Sequence, residues 1–126
     1  MSHSIQYDDD QHLIIISYKD RVTLHDIKTG ASDVMEIAKI RNCFRVLIDS
    51  RKTKLPLSSM DIYKLPDILA NVALTVGVDI SRFKRAIVVN HKQADMLFME
   101  TVIQEHSQNA KIFDDIDAAK KWLSSM

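Results

Sequence analysis

The chain has 126 residues, 46% of them hydrophobic, which is enough for one domain around a single core and too few for two. Seventeen Lys and Arg balance seventeen Asp and Glu, so no overall field draws nucleic acid or an anionic membrane. One cysteine, Cys43, excludes an internal disulfide and a cysteine-based zinc site, and it fits a reducing compartment.

The opening residues, Met1 to Asp10, lack the basic region and apolar core of a signal peptide, which points to a cytoplasmic protein. Ser4 to Tyr7 and His12 to Tyr18 are β-prone runs separated by Asp8-Asp9-Asp10-Gln11, so they predict a hairpin. Thr23 with Asp26 forms a capping box for a helix in which Leu24, Ile27, Ala31, Val34 and Ala38 recur at helical spacing. Val46-Leu47-Ile48 reads as a central strand covered on both faces. Ser58 and Asp61 form a second capping box, and Ile62, Leu65, Leu69, Val72 and Val76 keep helical spacing up to Gly77. Pro66 would kink a continuous helix and so predicts a short helical turn followed by a main helix with Pro66 in its first turn.

Arg85 to Asn90 is the next buried strand, and Asn90 with Gln93 is the predicted cap of a helix carrying Ala94, Leu97, Phe98 and Val102. Lys111 to Phe113 is a short last strand. Asp114 or Asp115 caps a closing helix with Ile116, Ala119, Trp122 and Leu123 on one face. The longest apolar run, Ile68 to Val78, falls short of the ~20 residues that a membrane-spanning helix needs, so no transmembrane segment is expected. The order ββαβαβαβα predicts a single α/β domain over residues 1–126: a mostly parallel sheet with helical crossovers and an antiparallel first strand at or near an edge.

That order, the strand Val46 to Asp49, the serines Ser58 and Ser59 opening the next helix, and the ending Ile112-Phe-Asp-Asp-Ile-Asp-Ala-Ala-Lys-Lys-Trp-Leu123 resemble the STAS superfamily. These are the sulfate-transporter and anti-sigma-factor-antagonist domains, and within them the chain is similar to the bacterial branch called STAS or SEC14-like. The resemblance implies no metal, no cofactor and no chemistry of the domain's own. It also implies a phosphorylation or switch site at Ser58 and Ser59, downstream of Asp49. The family motif there reads Asp-Ser-Ser-Gly, whereas this chain has Leu57-Ser58-Ser59-Met60.

As a helix cap alone, Ser58 contributes ~1 kcal/mol, and a phosphate there would be a dianion at a helix N-terminus, which the dipole tolerates. Asp20, His25, Asp49, Ser58, Asn90 and His91 all fall near strand carboxyl ends, where they serve either as nucleophile, base and carboxylate or as turn and capping residues. The five histidines show no paired metal-ligand spacing, and the two glycines, Gly30 and Gly77, make no phosphate loop. Arg51, Lys52 and Lys54 form a basic loop that is a candidate anion contact. Arg82, Lys84 and Arg85 form another cluster at the opposite strand end, so no single nucleic-acid stripe arises.

Two helices carry more apolar surface than a sheet-covering helix needs, so either their neighbours in the fold cover it or Leu69, Ala73, Leu74, Met96 and Met99 are a candidate interaction surface. The sequence therefore predicts a non-catalytic regulatory or protein-interaction module that self-associates as a dimer. The alternative is a carrier for a lipid or small apolar ligand. A weaker one is an esterase using Ser58 and His91.

Overall fold

The computed structural model describes residues 3–54, 57–91, 94–106 and 108–125, and over these the elements follow the predicted order. Strands β1 (His3–Asp8) and β2 (Leu13–Arg21) form the hairpin, with His3 opposite Tyr18 and Asp8 opposite Leu13. Its turn is held by the Asp8 carboxylate, which accepts the Gln11 backbone N–H at 3.1 Å and Gln11 Nε2 at 2.6 Å. Helix α1 (Leu24–Arg41) is followed by β3 (Arg45–Lys54) and α2 (Ser59–Val76). A 3₁₀ turn at Ile80–Arg82 leads into β4 (Lys84–Val88) and α3 (Ala94–Glu105). The described chain ends with β5 (Asn109–Phe113) and α4 (Ile116–Ser124), the latter capped by Asp115.

The five strands lie side by side in chain order, β1 antiparallel to β2 and each later pair parallel. A sheet that always steps the same way through right-handed crossovers must place all its crossover helices on one face. Accordingly α1, α2 and α3 share one face. There Ile14, Ile16, Tyr18, Val34, Met35 and Val46 make one part of the core, and Leu65, Leu69, Ile87, Met99, Ile103 and Ile112 make the other. Helix α4 covers the opposite face, where Ala119 and Leu123 meet Leu47, Ala86, Val88 and Phe113. The alternation along β3 is thus Val46 and Ile48 toward the three helices and Leu47 toward α4, which explains its unbroken apolar run.

Both predicted capping boxes are present, at Thr23 with Asp26 and at Ser58 with Asp61. The predicted break at Pro66 is not: α2 runs unbroken from Ser59 to Val76 with Pro66 in its interior. A proline there leaves the Ile62 carbonyl without its helical donor, but its ring is fully buried, and that packing holds the helix together across the lost bond. The predicted cap of α3 by Asn90 and Gln93 involves Gln93, which lies outside the described residues.

The surplus of apolar residues on α2 follows from its place between α1 and α3. A helix flanked on both sides needs apolar character on its flanks as well as on its sheet-facing stripe. Of the residues expected to form an exposed interaction surface, Leu69, Ala73 and Met99 are in the core at 7%, 1% and 5% exposure, and Met96 is half-buried. Leu74 alone of that set is open to solvent, at 76%.

Candidate functional site

Of the six polar residues expected near the carboxyl ends of the strands, Asp49 lies midway along β3, which continues to Lys54, and Asp49 and Ser58 are held by local partners. Asp49 forms a two-point ion pair with Arg51, Nε to Oδ1 at 2.9 Å and Nη2 to Oδ2 at 2.8 Å. The hydrogen bonds from Arg51 hold the Asp49 carboxyl below the usual carboxylate range, against the opposing effect of partial burial. Arg51, Lys52 and Lys54, expected as a loop, are instead the outer part of β3, with Lys52 opposite Lys19 and Lys54 opposite Arg21. Since the Arg51 guanidinium is already paired, only Lys52 and Lys54 of the three remain as exposed cations.

Ser58 accepts the Asp61 N–H on its hydroxyl at 3.1 Å, and its own N–H donates to Asp61 Oδ2 at 3.2 Å. Among the described residues no histidine hydrogen-bonds it, and His91 is exposed beyond the end of β4. Ser59 is also exposed, in the first turn of α2. Asp20 takes a left-handed backbone at φ 64° at the end of β2, and His25 is exposed in the first turn of α1. Among the described residues no group of three metal-ligating side chains comes together.

The second basic cluster stands at the other end of the sheet, as predicted, with Lys84 in register with Arg45. Its members have separate employments. The Arg82 guanidinium lies 3.9 Å from the centre of the Phe44 ring, and Lys84 Nζ donates to the Ser125 carbonyl at 2.7 Å. Arg85 turns inward.

Inward of Arg85 lies the site that residue spacing did not reveal. Between the sheet and helices α1 and α2 is a cavity of about 100 Å³, with walls that are almost wholly apolar. Ile16, Val46, Ile48 and Ile87 form its floor, Ile27, Ala31, Val34, Leu65 and Leu69 its roof, and Met99 and Ile103 of α3 close one flank. The polar groups on its lining come from Tyr18, Ser50, Thr53 and Arg85. Burial pushes the Tyr18 phenol well above its ordinary pKa, so it is a neutral donor at physiological pH.

Arg85 is only 7% exposed. Its Nη2 donates to Gln108 Oε1 at 3.0 Å, and Gln108 Nε2 donates in turn to the Pro66 carbonyl at 2.9 Å. Its Nε is buried and has no hydrogen-bond partner among the described residues. Burial lowers its pKa to about 10, which still leaves the guanidinium charged at neutral pH. The sequence did carry one signal for this placement. Arg85 stands two residues before Ile87 in a strand, so the pleat puts both on the helix-covered face.

No protein-family model matches the chain, and no curated protein matches it. Among solved structures the chain is similar to an uncharacterised protein of the DUF3478 family with a SpoIIAA-like fold from Shewanella loihica PV-4. The two are 20% identical and superpose with a TM-score of 0.58, over 96% of this chain and 91% of that one. The chain has the SpoIIAA-like fold, which is the fold of the anti-sigma-factor-antagonist and STAS domains expected from its element order.

Proposed function

We propose that the chain is a non-catalytic STAS-type module that works by binding a small apolar molecule in the cavity beneath α1 and α2. The observation that carries this reading is the cavity itself. Protein interiors pack closely, and a void of about 100 Å³ costs roughly 2 kcal/mol relative to a filled core. Apolar cavities of about 150 Å³ accept benzene, so this one suits a compact apolar group of slightly smaller size. The absence of an ester-cleaving pair at Ser58 favours binding over turnover, since the Ser58 hydroxyl serves as a cap and meets no histidine among the described residues.

The test is extraction and native mass spectrometry of protein purified without detergent, followed by thermal denaturation with butan-1-ol. A stoichiometric small molecule, or a midpoint that rises with butan-1-ol, is the expected result. Protein that carries nothing and does not respond to the alcohol overturns the reading.

A second reading, a regulatory module that self-associates, draws on Leu74 and on Ile40 at 77% exposure. These lie on the last turns of α1 and α2, which Lys39 Nζ ties together by donating to the Val76 carbonyl at 3.0 Å. Light scattering would then give a dimer that Leu74→Asp converts to a monomer, and a wild type that is monomeric at high micromolar concentration removes this reading. Phosphorylation at Ser58 is less supported, because a phosphate there would meet the Asp61 carboxylate that now completes the cap.

A further inference from the structure

We infer that the cavity takes a small monocarboxylate, with Arg85 as the residue that holds its carboxylate. This rests on the cavity reading above and names the chemical class of its ligand. Arg85 lines the cavity and is more than nine-tenths buried, yet among the described residues no carboxylate lies within ion-pair distance of it. A buried cation with no carboxylate beside it among the described residues favours an anion, because no opposite charge offsets its lost hydration.

The geometry fits an anchor. Gln108 takes one edge of the guanidinium through Nη2, and Gln108 is itself fixed by its bond to the Pro66 carbonyl, so the plane of the guanidinium is set before a ligand arrives. Among the described residues the Nε–H of the same rigid fork has no acceptor, and it is closed to solvent, so the guanidinium charge is incompletely offset. A carboxylate entering the cavity meets the guanidinium charge that lines it, while a short hydrocarbon tail lies among Ile87, Leu69 and Met99. A neutral alcohol fills the same apolar space but offers no charge to Arg85. The apolar walls raise the worth of the pairing, since they exclude the solvent that would screen it.

The experiment compares butanoate with butan-1-ol, two probes of equal chain length, by titration of the wild-type protein and of Arg85→Met. Butanoate is expected to bind the wild type about tenfold more tightly than the alcohol, the margin of one charge-assisted hydrogen bond, and Arg85→Met to erase that margin while keeping the alcohol. Equal binding of the two probes by the wild type overturns the carboxylate assignment and leaves the cavity reading standing. Binding of neither overturns both. Should Arg85→Met fail to fold, the arginine Nε–H resonance of the wild type supplies the answer. It is expected to shift with butanoate and not with butan-1-ol, and an Nε–H signal that ignores butanoate overturns the assignment.

Discussion

Two residues show how closely the helical layer is fitted to the sheet and where it is not. Gly30 sits in the second turn of α1, buried against Tyr18, and a Cβ there would overlap the Tyr18 hydroxyl and stand 3.0 Å from Ile16 Cδ1. Glycine is kept inside a helix, at a propensity cost of ~1 kcal/mol, because it lets the helix approach the strand. Gly30→Ala is therefore expected to lower stability by about 1–2 kcal/mol despite the better helix former, since overpacking outweighs propensity. Chemical denaturation measures this, and Tyr18→Phe in the same chain should restore much of the loss by removing the atom in conflict. A Gly30→Ala protein as stable as the wild type would show that the Tyr18 ring simply moves aside. Arg85 is the opposite case, a residue whose surroundings leave it under-satisfied. A charged group held in this way lowers stability on its own account, and the bonds to Gln108 only partly offset that. Such a charge is a functional-site signal of greater weight than the exposed polar residues of the rim, whose partners are local.

At the scale of elements, the chain's local chemistry was legible and its long-range packing was not. The capping boxes at Thr23 and Ser58 depend on residues three apart, and the hairpin on one acidic turn, so each appears in the sequence as a short pattern. Pro66 is the counterexample. Its tolerance within α2 depends on the burial of its ring, which tertiary packing sets and no local pattern shows. The apolar width of α2 leaves two readings open for a related reason: it reflects flanking by two helices, and a periodicity argument does not distinguish a neighbouring helix from a partner molecule. The cap itself makes a clear prediction. Ser58→Ala removes the acceptor for the Asp61 N–H and should cost about 1 kcal/mol in urea denaturation, while Ser58→Asp, which supplies a carboxylate acceptor at the positive end of the helix, should cost little. Equal losses in both variants would mean that the hydroxyl has a further role at this exposed position.

For the whole molecule, the order of the strands decides where a site can be. Because every crossover steps the same way, three helices crowd one face while α4 alone covers the other, and the cavity opens under the crowded side between α1 and α2. No residue pattern announces this, because the void arises from the separation of layers and not from any one side chain; only the inward phase of Arg85 was readable beforehand. The cavity also sets stability against binding. Filling it should stabilise the fold, at ~0.8 kcal/mol for each methylene buried, and should remove the ligand site. Ala31 of α1 lines the roof, and Ala31→Leu adds three carbons there without the helix penalty of a β-branched residue. This variant is expected to gain about 1–2 kcal/mol by chemical denaturation and to lose its response to butan-1-ol. A variant that gains stability yet still binds the alcohol would place binding elsewhere on the molecule. One that loses stability would mean that the helical layer already closes on the sheet, leaving the added side chain no room.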